Sequence, residues 1–244
     1  MKKNIIAGVV LARSGSKGIK NKNLLKLDGI HLTNRAISLA LVSKKIDVVI
    51  FSSDSKKILD TFPEHKKVFK IKRAKKLSRD KTPSIDVLQN SVKVFERKNP
   101  SKKIKYLVGL DPTAPLRNKN DILKSIKYFE KTKPDVLVSV HKCQHNPYFS
   151  MLEKKGRFFK LPKAFKGKKD PGSRQEVPQV YEINTIVWIH SRKIIDLKKR
   201  ISNKTLVYEF PYNRSIDIDT EDDIDRINYY LNKKNAKNKN YFSF

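Results

Sequence analysis

The chain has 244 residues, with 55 Lys and Arg against 24 Asp and Glu and a formal net charge of +31 at pH 7. That length suits one large α/β domain, and a hydrophobic share of 38% is enough to build its core. A single cysteine, Cys143, excludes an intrachain disulfide and fits a reducing compartment. No segment approaches the roughly 20 apolar residues needed to cross a bilayer. The MKK start and its apolar run are too short, and lack the cleavage site, for a signal peptide. A cytoplasmic protein without a membrane partner is expected.

The first 140 residues alternate strand-like and helix-like segments. Ile5–Leu11 is a continuous apolar run, as buried parallel strands are. Thr33 is placed to cap a helix through Ser43, and Val48–Phe51 reads as a second strand with Asp54 capping a short helix after it. Val68–Ile71 is a weaker strand. Ser84–Arg97 carries Ile85, Leu88, Val92 and Phe95 at helical spacing. Tyr106–Leu110, Asp121–Lys131 and Asp135–Val140 continue as strand, helix and strand. This rhythm predicts a mostly parallel sheet covered on both faces.

The rhythm breaks near Gln144. Tyr148–Glu153 and Arg157–Leu161 read as an inserted hairpin. Tyr181–His190 and Thr205–Phe210 return as strands, and Glu221–Leu231 is a closing helix. The domain is expected to span residues 1–232, followed by a basic, frayed tail over 233–244.

In open α/β sheets ligands bind beyond the carboxyl ends of the strands, and four polar clusters fall there. After the first strand, Arg13, Lys17 and Lys22 alternate with Ser14, Gly15, Ser16, Gly18, Asn21 and Asn23. Glycines admit backbone N–H groups, hydroxyls and amides add donors, and the cations supply charge, so the loop suits a polyphosphate. It is not a Walker A motif, because that spacing is absent. The second cluster, Asp111-Pro-Thr-Ala-Pro-Leu-Arg117, is a proline-stiffened loop able to read a base or ribose; Arg117 reads better as an anchor for the next helix.

The third cluster is Ser215-Ile-Asp-Ile-Asp-Thr220. Period-two spacing puts Asp217 and Asp219 on one face and Ile216 and Ile218 on the other. Paired carboxylates suit Mg²⁺ with substrate phosphates, while Asp219 or Thr220 is equally placed to cap the closing helix. The fourth cluster, Gly172–Pro178 with Asn184 beyond it, offers Arg174 and Gln175 either to an anion or to solvent. His141, Cys143 and His145 alternate but have no fourth ligand at zinc-like spacing; His145 remains open as a substrate contact.

The net charge raises the question of nucleic acid. The lysines are scattered over the whole length, and no Arg–aromatic signature, zinc finger or basic heptad occurs. No specific nucleic-acid partner is expected, and a basic nucleic-acid-binding scaffold is kept only as the alternative from a different class.

Taken in order, LARSGSKGIKNKNL, KRAKKLSRDKTPSID, LDPTAPLR, SRQEVPQVYEIN and SIDIDTEDD resemble the cytidylyltransferases that activate nine-carbon acidic sugars, the acylneuraminate type. The resemblance runs from about Ile5 to Leu231; KDO-type cytidylyltransferases are more distantly similar. It implies a single Rossmann-like α/β nucleotidyltransferase domain and transfer of CMP from CTP to a 2-keto sugar acid. It implies that Arg13, Lys17 and Lys22 hold the triphosphate beside Asn23, and that Arg73, Asp80 and Ser84 contact the nucleotide. Asp111 falls in the loop that meets nucleotide and sugar, where the family usually carries Gln. Arg174, Gln175 and Asn184 would lie near the sugar. Asp217 and Asp219 would bind Mg²⁺, with Asp219 helping to deprotonate the attacking hydroxyl. The insert, from about Cys143 to Gln179, would mediate a homodimer. Glu182 and Thr185 also depart from the family pattern, so a legionaminic, pseudaminic or related acid is as reasonable a substrate as N-acetylneuraminate.

Overall fold

The computed structural model describes residues 2–15, 18–162 and 172–237. Its elements, in chain order, are β1 (Lys3–Leu11), β2 (Lys26–Leu27), β3 (Ile30–His31), α1 (Leu32–Leu41), β4 (Val48–Ser53), α2 (Lys56–Leu59), β5 (Val68–Lys72), α3 (Ser84–Lys98), β6 (Lys102–Gly109), α4 (Lys119–Thr132), β7 (Val136–Lys142), β8 (Glu153–Lys155), β9 (Phe158–Lys160), β10 (Tyr181–Ser191), α5 (Arg192–Asp196), β11 (Thr205–Glu209) and α6 (Glu221–Lys237).

Seven strands form one sheet in the order β11-β7-β10-β6-β1-β4-β5. All neighbours are parallel except β10, which runs antiparallel to β6 and β7. From β1 the chain steps outward through β4 and β5, then crosses back to lay β6 on the other side of β1. That reversal makes the gap between the carboxyl ends of β1 and β6 a topological switch point, where such sheets open a ligand crevice.

The period of two along β1 builds both layers of the core. Val10 and Ala12 join Ala36, Ile37, Ile122, Ile126 and Phe129 under α1 and α4. Ile5, Ala7 and Val9 join Leu88, Val92, Phe95 and Ile195 under α3 and α5. A third cluster gathers Leu27, Leu32 and Leu116 with Ile216, Ile218, Ile227 and Leu231. Burial of Ile216 and Ile218 there fixes which way Asp217 and Asp219 face.

Several local expectations are corrected. Thr33 lies inside α1, buried, with its hydroxyl bonded to the side chains of Asn34 and Thr61 rather than capping the helix. Ser55, not Asp54, caps α2, accepting from the Ile58 N–H. The inserted hairpin is shorter and later, β8 with β9 around Gly156. The closing helix continues through Lys237, past the expected end at Leu231. The β2–β3 hairpin carries Asp28 and Gly29 at φ 50° and 76°, the two positive angles of a type I′ turn.

Candidate active site

The carboxyl ends of β1, β5 and β6 and the Ser215–Asp219 segment open onto one cleft of about 400 Å³. Arg13, Gly18, Lys22, Asn23, Arg73, Asp80, Ser84, Asp111, Asp217 and Asp219 all line it. A larger, shallower hollow beside Leu24, His31, Lys56 and Lys57 holds none of these residues. The cleft therefore carries the site.

The opening loop is braced from two sides. Ala12 N–H continues the sheet to Ser52 O at 3.0 Å, and the buried Asn23 side chain donates to Arg13 O at 3.0 Å. The Arg13 guanidinium then pairs with Asp80. Ser14 donates through both its N–H and its hydroxyl to Asp54, at 2.9 and 2.7 Å. Lys17 and Ser16 lie outside the described residues. Gly18 passes so close to the Asp219 carbonyl that a Cβ would collide with it, which explains a glycine here without any unusual backbone angle.

The far wall holds the carboxylates. Lys22 Nζ reaches Asp219 Oδ1 at 2.9 Å and Ile218 O at 2.6 Å. Asp223 Oδ2 accepts from the N–H groups of Asp219 and Thr220, at 3.1 and 2.9 Å, so the start of α6 is satisfied without the Asp219 carboxylate. Asp217 is mostly buried, and its Oδ1 has no hydrogen-bond partner. Burial, then the neighbouring Asp111 charge, raise its pKa to about 6 against a hydrogen bond from Thr113, with Asp219 adding to the rise and Lys22 opposing it.

Asp111 Oδ1 accepts from the Thr113 N–H and hydroxyl at 3.1 and 2.8 Å, turning the loop tightly after β6. Arg117 is an anchor, but its hydrogen bonds tie the Asp111 loop to β10 rather than holding the next helix. It is buried and donates to the carbonyls of Asp111, Thr185 and Ile186. Burial lowers its pKa to about 10, so it stays charged at neutral pH. Arg73 is also buried, fixed by Ser78 Oγ at 2.7 Å and Ser52 O at 3.3 Å.

Four residues named for the sugar side are not among those lining the cleft. His145, Arg174 and Gln175 are exposed. Asn184 is buried, its amide donating to Ser215 Oγ at 3.1 Å and accepting from the Ile186 N–H at 3.2 Å. His141 lies against Glu182 at 3.3 Å, with its ring 5.1 Å from that of Tyr212.

Sequence reasoning missed Asp54, Ser78, Arg79 and Thr113. Asp54 carried a signal, a carboxylate directly after a strand, but the neighbouring Ser55 does the capping assigned to it. Ser78, Arg79 and Thr113 become visible only when their loops are folded over the cleft.

Among the described residues no group of three or more His, Cys, Asp or Glu is arranged to hold a metal by itself. Asp217 and Asp219 nevertheless fit a hard cation that completes its shell with waters and substrate oxygens, because Asp217 offers a buried, unpartnered oxygen.

The model for the family described as cytidylyltransferase matches residues 7–239. The post-translational flagellin modification protein B of Campylobacter coli is 28% identical over 95% of this chain and 97% of its own length. The CMP-N,N'-diacetyllegionaminic acid synthase of Campylobacter jejuni is 27% identical over the same shares. The N-acylneuraminate cytidylyltransferase of Streptococcus agalactiae serotype III is 28% identical over 88% of this chain and half of its own. Among solved structures, the CMP:2-keto-3-deoxy-manno-octonic acid synthetase complexed with CTP aligns over 96% of this chain and 100% of its own, with TM-score 0.63 at 14% identity. At that identity the likeness speaks for the fold. The matched model spans β1 to α6 and every cleft residue named above, and the chain belongs to the cytidylyltransferase family.

Proposed function

We propose that the protein transfers CMP from CTP to the anomeric hydroxyl of a nine-carbon 2-keto sugar acid and releases pyrophosphate. The observation that carries this reading is the meeting of Arg13 and Lys22 with Asp217 and Asp219 across one cleft at the switch point. Relatives named for legionaminic and N-acylneuraminic acids support the nonulosonic class of acceptor.

In the reaction the hydroxyl oxygen bonds to the α-phosphorus as the bridge to the β-phosphate breaks. Little covalent help from protein is needed, only in-line positioning and neutralised charge. Arg13 and Lys22 serve the departing pyrophosphate, each leaving its carboxylate, Asp80 or Asp219, for a phosphate oxygen. Asp217 and Asp219 are the residues that would hold Mg²⁺. When bound, the ion supplies Lewis-acid polarisation and charge neutralisation at the α-phosphate. Asp219, the more exposed carboxylate, takes the proton of the attacking hydroxyl. Arg73, braced by Ser78, and Ser84, at the start of α3, form the nucleotide side.

The acceptor acid enters from the side of β10. Arg174, Gln175 and His145 reach it in a homodimer, while Asn184 acts from behind through its bond to Ser215. That assembly is suggested by the exposed Leu152, Phe158 and Phe159 on and beside the β8–β9 hairpin and by the exposed Tyr181 and Ile183 at the start of β10. The use of CTP and the single free cysteine, Cys143, support a cytoplasmic location.

The reading is tested by following pyrophosphate release with CTP and a sugar acid, with and without Mg²⁺. Release that needs CTP, sugar and metal together supports it; salt-sensitive RNA binding that persists in Asp217→Asn, with no turnover, contradicts it.

A further inference from the structure

Asp54 lies outside every role assigned above, yet it sits where β4 ends beside the opening loop. Its two carboxylate oxygens divide between the two donors of one residue, Ser14 N–H at 2.9 Å on Oδ1 and Ser14 Oγ at 2.7 Å on Oδ2. Ser14 follows directly on Arg13, whose carbonyl is held by Asn23. The three contacts hold the carbonyl and the N–H of the Arg13–Ser14 peptide and the Ser14 hydroxyl, and so bias the direction from which the Arg13 guanidinium enters the cleft.

The charges around Asp54 point the same way. Arg13 and Arg73 both line the cleft and repel one another, while Asp54 attracts Arg73. Burial raises the Asp54 carboxyl, but the bonds from Ser14 and the charge of Arg73 outweigh it and hold the group below the usual carboxylate range. It is therefore an anion at neutral pH, bonded to the loop at Ser14 and attracting Arg73. The neighbouring helix does not need it, because Ser55 caps α2 and the Asp54 contact to Lys72 uses its backbone carbonyl. A carboxylate that the neighbouring helix does not require, with both oxygens hydrogen-bonded to one loop residue, acts on what that loop binds.

We infer that Asp54 is a positioning residue for the triphosphate site: through Ser14 it sets the pose of Arg13, and it never touches the nucleotide itself. The inference rests on the reading of the cleft as a CTP site.

The test measures CTP affinity directly by calorimetry, KM for each substrate, and thermal stability, in Asp54→Asn, Asp54→Ala, Ser14→Ala and the Ser14→Ala/Asp54→Ala pair. Asp54→Ala should weaken CTP binding tenfold or more and leave the KM for the sugar within twofold. Asp54→Asn, which keeps one acceptor oxygen, should recover part of the loss. The double variant should be no weaker than Asp54→Ala alone, because both changes remove one interaction. Wild-type CTP affinity in Asp54→Ala would overturn the inference, as would equal losses for CTP and sugar accompanied by a fall in melting temperature. Failure of the wild-type protein to bind CTP would instead overturn the reading of the cleft, which separates the two outcomes.

Discussion

Lys22 Nζ sits 2.9 Å from Asp219 Oδ1, so the cation of the opening loop and a carboxylate 197 residues later share one contact at the cleft. The same ammonium group takes the Ile218 carbonyl at 2.6 Å, which fixes it against the strand-like segment that carries both aspartates. The Asp219 side chain is 72% exposed, and an ion pair of that kind contributes only about 0–1 kcal/mol to stability.

Lys22→Met therefore separates function from folding. Urea denaturation should show stability within about 1 kcal/mol of wild type. Steady-state kinetics should show kcat/KM for CTP reduced by about 10²–10³, the usual cost of removing one preorganised donor to developing charge. A large stability loss with kinetics intact would make the lysine a structural tether.

Asp217→Asn should trade activity for stability. The folded pKa of Asp217 is about 6, above the roughly 3.9 of an unfolded aspartate. A raised carboxylate means that the fold prefers the protonated form. The group's relative contribution is fully present below about pH 4 and is lost as pH rises through 6. The variant should gain on the order of 1–3 kcal/mol over wild type at pH 8, with the gain fading toward pH 4, and should lose turnover. Parallel denaturation curves at the two pH values check the sign.

Gly18→Ala should strike at the same place from the other wall. The new methyl group meets the backbone carbonyl of Asp219, which cannot rotate away as a side chain could. One of the two strands of chain must shift, at about 1–3 kcal/mol. CTP turnover should fall at least tenfold while far-ultraviolet circular dichroism stays unchanged.

Much of the fold could be read because β1, β4, β6 and β7 each contain a buried, mostly apolar run, and burial on both faces leaves such segments few alternatives. The aspartates were legible for a related reason: Ile216 and Ile218 must be buried, so Asp217 and Asp219 must face the other way. Asp54 was misread because a serine and an aspartate stand side by side before α2, and local sequence cannot say which one turns to the helix. The short β8–β9 hairpin was misplaced because its residues are all exposed, so no periodic burial pins its register. The sugar side was left undecided between anion and solvent by its residues, and only the resemblance named the sugar. Of its residues only Asn184 is buried, and its amide is already engaged by Ser215 and Ile186.

The proposed assembly has its own test. Phe158 and Phe159 are 63% and 60% exposed on β9, a cost that contact with a second copy would remove. Phe158→Glu with Phe159→Lys should convert a dimer to a monomer in sedimentation velocity and raise the KM for the sugar more than that for CTP. Identical sedimentation of the pair variant and wild type would contradict an interface at the hairpin.

The most direct test of the whole account is pyrophosphate release from CTP and Mg²⁺ across a panel of nonulosonic acids and KDO, run beside Asp219→Asn. The account predicts release with at least one nonulosonic acid, little with KDO, and near-complete loss in Asp219→Asn. Release with no member of the panel, or normal rates in Asp219→Asn, would contradict it.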